Sequence, residues 1–331
     1  MYRLLVLLLM IIISSSTNSF CQSALNSSPV NQRIVGYYFL RAAANSGGDT
    51  LTNSFFPRVT HLNIAFVNPD SSGRFRDYPG LASLIARAHK HGVKVLASIG
   101  GGGSHAYYGP LLQQQRRAAF IKELLSMARK YNFDGIDVDL EGSDIDLNYE
   151  PFVTELAHAL KQENKLITAA IATAYKDQLS DKAIQQFDFV NIMSYDATGP
   201  WAPLREQHHS PYDMAEFDLN YWGSTRGLSK DKMVLGVPFY GYGFSKPGSE
   251  VVSLNYKDIV GINASYAVQD TVTIMDSVRM YFNGKETIRK KTRLAKDRAS
   301  GIMIWQLFGD ASGSESLLDV INSELRPAVK K

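Results

Sequence analysis

The stretch Tyr131-Asn-Phe-Asp-Gly-Ile-Asp-Val-Asp-Leu-Glu141 decides the architecture. Side chains of a strand alternate faces, so Asp137, Asp139 and Glu141 point one way and Ile136, Val138 and Leu140 the other. A strand whose second face is wholly apolar is covered on that side, which makes it central rather than an exposed edge. The three acids then face an interior. Successive members of such a row rise by roughly 6–7 Å, so Asp137 lies deepest and Glu141 emerges at the C-terminal end. Asp134 has the opposite parity and reads as a turn residue beside Gly135. Like charges confined together push one pKa upward, the condition a general acid needs near neutrality. A metal cage is the competing use of three acids. No His follows at ligand spacing, however, and the row is linear rather than convergent.

Outward from this strand, β-rich runs alternate with helical patterns. Ile34–Phe39, His61–Val67, Lys94–Ile99, Gly135–Leu140, Leu166–Ala172, Phe187–Met193, Met233–Phe239 and Gly301–Trp305 are the candidate strands. Most are continuous apolar runs, as expected of parallel strands covered by helices. Amphipathic segments Leu81–His91, Gln113–Tyr131 and Tyr149–Gln162 lie between them, and Gly92 stands in a C-capping position. Eight strands interleaved with helices is the count of an α/β (β/α)8 TIM barrel, whose active sites lie at the C-terminal mouth. A doubly wound sheet would need a glycine-rich fingerprint after its first strand, which is missing, and Gly100–Gly103 lacks the Lys-Ser/Thr of a phosphate loop. Between the seventh and eighth strands a short excursion is expected around 245–284, carrying Asn255–Ile262 and Thr271–Tyr281. The last barrel helix follows near Lys285–Arg298. One domain over residues 33–326 is predicted.

Composition agrees with a globular chain that buries a large core: 331 residues, 45% hydrophobic and 20% charged. The net charge of +3 is too small to argue for nucleic acid. Arg3, the apolar run Leu4–Ile13 and the polar stretch Ser14–Ser19 have the order of a secretory signal peptide, expected over residues 1–22. The run is well short of the roughly 20 residues that span a bilayer. The mature protein is therefore expected to be secreted, soluble, free of the membrane and monomeric. Cys21, the only cysteine, offers lipid anchoring as the alternative, which the bulky Phe20 disfavours. The body then has no disulfide, no Cys-ligated metal and no thiol nucleophile. Neither cofactor nor metal is expected. Asn26 and Asn263 stand in glycosylation sequons.

The Asp-Gly-x-Asp-x-Asp-x-Glu pattern of Asp134–Glu141 resembles the signature of glycoside hydrolase family 18, the chitinases and endo-β-N-acetylglucosaminidases. Four further places agree in order: Ser98-Ile-Gly-Gly101, Met193-Ser-Tyr-Asp196, Gly236-Val-Pro-Phe-Tyr-Gly241 and Gly301-Ile-Met-Ile-Trp305. The resemblance implies chitin or N-acetylglucosamine oligosaccharides as the binding partner and substrate-assisted, retaining hydrolysis without a second carboxylate nucleophile. It implies that Glu141 protonates the glycosidic oxygen while the sugar's own acetamido oxygen attacks the anomeric carbon. Asp139 would hold the acetamido N–H, Asp137 would share a proton with Asp139, and Tyr195 would hydrogen-bond the acetamido carbonyl. Trp305 resembles the family's subsite-floor tryptophan, and Met193 and Asp196 are candidates for the same pocket. Tyr37 and Phe66 read as barrel packing with occasional sugar contact, and Trp201 and Tyr240 as groove aromatics. Ser98, Gly100 and Gly101 would permit close packing under the acidic strand. His208 and His209 read as solvated loop residues.

Two departures stand out. Leu140 occupies the place where many processive-type chitinases carry Trp, and the excursion after the seventh strand is shorter than their insertion. Both predict an open groove and endo-type cutting. The alternatives are an endo-β-N-acetylglucosaminidase acting on the chitobiose core of N-glycans and an inactive chitin-binding lectin, which the intact Asp137, Asp139 and Glu141 disfavour.

Overall fold

The computed structural model describes residues 32–40, 51–275 and 277–326. The expected signal peptide and Cys21 lie outside them. Eight strands close into a parallel barrel: β1 (Arg33–Phe39), β2 (His61–Ala65), β3 (Lys94–Gly100), β4 (Gly135–Asp139), β5 (Leu166–Ile171), β6 (Phe189–Ile192), β7 (Met233–Pro238) and β12 (Gly301–Trp305). The barrel order is β1-β12-β7-β6-β5-β4-β3-β2. Each predicted strand is present, with ends shifted by at most two residues.

Helices α1 (Leu81–Lys90), α2 (Tyr108–Leu112), α3 (Gln114–Tyr131), α4 (Tyr149–Lys161), α5 (Asp181–Gln186) and α6 (Tyr212–Asn220) surround the barrel with α8 (Lys285–Arg298) and α9 (Leu317–Leu325). Along α1 the buried residues Leu81, Leu84, Ile85 and Ala88 recur at the three- and four-residue spacing of one helix face. Gly92, at φ 72°, takes the left-handed conformation that ends that helix at little steric cost. Among the described residues, no helix is long and apolar enough to cross a membrane.

Strand parity divides two cores. Outward-facing Ile136, Val138 and Leu140 join the large apolar layer between sheet and helices. Inside the barrel a smaller cluster, including Val35, Tyr37, Phe189, Val234 and Met303, packs beside the buried polar residues Asn63, Ser98, Asp137, Thr168 and Asn191. Asp134 anchors the start of β4 as a turn residue should. It bonds His89 Nε2 at 2.8 Å and Lys94 Nζ at 2.9 Å, and accepts from Val95 N at 2.8 Å.

The excursion differs from the expectation in extent and form. It begins at Tyr240 rather than near 245, and it builds a separate antiparallel sheet. That sheet, ordered β10-β11-β8-β9, comprises β8 (Tyr240–Phe244), β9 (Val252–Asn255), β10 (Thr271–Ile274) and β11 (Val278–Tyr281). Helix α7 (Tyr256–Ile262) joins β9 to the following hairpin. The run Tyr240-Gly-Tyr-Gly-Phe244 hides its strand because glycine is poor in strand propensity. Here Gly241 is required by close approach, since a Cβ on it would lie 2.5 Å from Tyr281 O.

Candidate functional site

The acidic ladder starts at Asp137, which has no exposed surface. Four donors from four other strands converge on it. Tyr37 Oη (2.7 Å) and Ser98 Oγ (2.8 Å) donate to Oδ2, while Thr168 Oγ1 (2.6 Å) and Asn191 Nδ2 (3.3 Å) donate to Oδ1. Burial raises its pKa against the pull of those hydrogen bonds. Ser98 therefore does more than permit close packing, because it is one of the four donors.

One step up, Asp139 is buried and its Oδ1 has no hydrogen-bond partner. Burial first, then the charges of Glu141 and Asp137, push its carboxyl well above the usual carboxylate range. Four donors meet the lone pairs of Asp137, which leaves Asp139 as the less satisfied of the two acids. Beneath this step the packing is tight: Gly101 N donates to Asp139 O at 2.7 Å, and a Cβ on Gly100 would lie 2.2 Å from that same oxygen. Gly100 and Gly101, at φ 99° and 102°, also hold a backbone conformation that other residues avoid.

Glu141 follows β4 at the barrel mouth. Burial, and then the nearby Asp196 and Asp144 charges, raise its pKa to about 7, against a hydrogen bond from Tyr175 that lowers it. About half of it therefore keeps its proton at pH 7 while facing a cleft, the condition a general acid needs.

That cleft has a volume of about 420 Å³. Asp139, Glu141, Met193, Tyr195, Asp196 and Trp305 line it together with Phe66, Trp201 and Tyr175. Trp305 stacks on Phe66 with centroids 5.6 Å apart, and Tyr37 and Phe39 brace it at 5.4 and 5.7 Å. Among the described residues the Tyr195 hydroxyl bonds only Met303 Sδ, a weak acceptor, at 3.8 Å. It keeps its donor capacity for a ligand. Trp201 is 62% exposed and packs edge-on against Tyr242 at the rim.

Two candidates stand behind the wall and do not line the cleft. Tyr37 is 1% exposed with its hydroxyl committed to Asp137. Tyr240 gives its hydroxyl hydrogen to Asp196, which adopts a left-handed φ of 63°. His209 also departs from expectation. Instead of being solvated, it is wholly buried, with Nδ1 3.4 Å from Asp196 Oδ1 and its ring 5.0 Å from that of Tyr240. His208 is half-buried and bonds Phe282 O at 2.8 Å.

Sequence reasoning missed Thr168, Asn191, Tyr175 and His209. The first two carried a usable signal, because each is a polar residue on the inward parity of an otherwise apolar strand. Tyr175 follows β5 at the same mouth as Glu141. His209 had no local signal.

Comparison with known proteins agrees with this geometry. The family model of glycosyl hydrolases family 18 matches residues 33–310. The crystal structure of the chitinase ChiB from the chitin utilization locus of Flavobacterium johnsoniae is similar with a TM-score of 0.80 and 33% identity, covering 89% of this chain and 94% of that one. A chitinase from Bacteroides thetaiotaomicron gives a TM-score of 0.75 at 28% identity, covering 90% of this chain and 97% of the other. A chitinase-like effector of Moniliophthora roreri is 29% identical over 226 residues, 59% of this chain and 55% of that protein. This chain thus spans about half the length of such curated relatives. With the family's sequence pattern, barrel and inward acidic ladder all present, the chain belongs to the glycosyl hydrolases of family 18.

Proposed function

We propose that this chain is a secreted chitinase that cleaves β-1,4 linkages between N-acetylglucosamine units with retention, using the substrate's own acetamido group as nucleophile. One observation carries the reading. In a single cleft, a carboxyl whose pKa is about 7, a second, buried carboxyl and a tyrosine hydroxyl with no oxygen acceptor among the described residues stand together above an aromatic wall.

Each of these groups has a counterpart on the sugar. The Asp139 carboxyl, which lines the cleft, accepts the acetamido N–H. The Tyr195 hydroxyl donates to the acetamido carbonyl oxygen, which fixes it for in-line attack on the anomeric carbon. Glu141 delivers its proton to the departing glycosidic oxygen as that C–O bond breaks. The resulting oxazolinium ring is opened by water, whose proton returns to Glu141, so the acid is regenerated. Trp305 gives the reacting ring an apolar floor, and Trp201 offers a face to the sugars beyond it. Without an acetamido group there is no nucleophile, so the reacting sugar must carry one. The open rim and the outward-facing Leu140 support endo-type cutting.

The test is to incubate the purified protein with chitohexaose and with a high-mannose glycoprotein and weigh the products. Shorter chito-oligomers with retained anomeric configuration are expected, and their loss in Glu141→Gln. Release of glycans without chitohexaose cleavage would replace chitin by the N-glycan core, and binding without turnover would indicate a lectin. Release of disaccharide alone from long chains would count against endo action.

A further inference from the structure

Lys291, on α8, has no exposed surface. Its Nζ donates to Ser210 O at 2.7 Å, to Ser210 Oγ at 2.7 Å and to Asn283 Oδ1 at 2.8 Å. All three ammonium hydrogens thus go to neutral oxygens. Asp270, Asp218 and Asp213 act on it only through space. Burying an ammonium away from a counter-ion is costly, and an apolar side chain of similar length would fill the space without that cost. Packing alone does not account for a lysine at this position.

The bonds lead toward the cleft. Ser210 Oγ donates to Ser194 O at 2.7 Å, the carbonyl immediately before Tyr195. Asn283 Nδ2 closes a ring by donating to the same Ser210 carbonyl at 2.8 Å. The carbonyl of His209 accepts from Ala197 N at 2.9 Å, and its buried ring lies against Asp196. Residues 194 and 197 are therefore each tied to 209–210, and 210 is tied to the helix. Tyr195 and Asp196 lie between those ties, with Asp196 in a left-handed conformation that needs holding.

We propose that Lys291 is a positioning residue of the reaction: its ammonium clamps the His209–Ser210 segment to α8 and so sets where the Tyr195 hydroxyl and the Asp196 carboxylate stand. The chemistry of this inference rests on the chitinase reading above, whereas its geometry does not. Lys291 touches no substrate. It acts through Ser210, and a supporting residue of this kind governs angstrom-scale placement at the reacting atoms.

The test compares Lys291→Met, Ser210→Ala and the double variant with the wild type on chitohexaose, each corrected for folded protein by thermal melting. Each single change is expected to lower kcat about tenfold while KM moves less than about twofold, and the double variant should be no worse than the poorer single, because both break one chain of contacts. A merely structural role would lower the melting temperature and leave kcat per folded molecule unchanged, which would overturn the inference, as would losses that multiply in the double variant. Should K291M not fold, Ser210→Ala carries the same kinetic comparison. A crystal structure of either variant reads the clamp without turnover: the Ser194–Ala197 turn should be displaced, and an unmoved Tyr195 hydroxyl refutes the proposal even if the wild type proves inert. An inert wild type with a displaced turn in the variant would instead fault the chitinase reading and leave the clamp standing.

Discussion

Replacing Asp196 with Asn removes the charge that weighs most on Glu141 after burial itself. The Glu141 carboxyl sits at about 7 instead of its ordinary 4.5, with burial responsible for the largest part of the rise. Asp196 is then worth about one pH unit, or about 1.4 kcal/mol between the two protonation states. Asn keeps an oxygen for the Tyr240 hydroxyl, so the left-handed turn should survive the change. Because the acid form is the active one, activity is retained below the pKa of Glu141 and lost as pH rises through it. The alkaline limb of kcat/KM, which reports the free enzyme, should move from about pH 7 to about pH 6. At pH 7 the protonated fraction falls from about one half to about one tenth, a loss of about fivefold, while at pH 5 the two enzymes should match to within about twofold. The assay is a pH series of initial rates on a chromogenic chito-oligosaccharide at substrate concentrations below KM. A limb that stays at pH 7, or moves upward, refutes the assignment of Asp196 as the charge that keeps the acid protonated.

Four further outcomes are expected. Tyr195→Phe should cost about 100-fold in kcat with little change in melting temperature, since the lost hydroxyl bonds no oxygen among the described residues. Asp137→Ala should destabilise the protein by about 3–5 kcal/mol in urea unfolding, because four buried donors lose their acceptor at once. Glu141→Gln should melt higher than wild type at pH 8 by an amount equivalent to about 3 kcal/mol, and equal to it near pH 4. A carboxyl whose pKa rises on folding loses stability as pH climbs from its unfolded value to about 7, and the neutral amide does not. Trp201→Ala, at an exposed rim position, should raise KM for long chito-oligomers about tenfold and leave the melting temperature unchanged.

The barrel was legible because its evidence is local. A period of two separates Asp137, Asp139 and Glu141 from Ile136, Val138 and Leu140, and the structure puts the second set in the layer under the helices. Continuous apolar runs marked most of the other strands, another signal carried by neighbouring residues. The small sheet was harder. In Tyr240–Phe244 alternate glycines erase the propensity signal, and what makes them glycines is the approach of Tyr281 O and of Val278 Cγ1, both more than thirty residues on in the chain. Tyr37 and Tyr240 show a related limit. Their strands and parity could be read, but whether such a ring faces the sugar or the carboxylate behind it depends on which acid lies within reach of its hydroxyl.

That reach is set by register between strands, which a single sequence does not carry. The pairing of Ser98 with Asp137 across β3 and β4, and of Asp137 with Thr168 across β4 and β5, brings donors separated by 39 and 31 residues onto one carboxylate. Shifting either pair by one residue would turn the donor to the other face of the sheet. Once Tyr37, Ser98, Thr168 and Asn191 are in place, the lower acid has its full complement of donors. The upper acid is left with an oxygen that none of the described residues satisfies. An unfilled acceptor in a buried site is expensive unless a ligand completes it. Asp139 is thus the step of the ladder that the fold leaves incomplete, between a base held by four donors and Glu141 at the mouth.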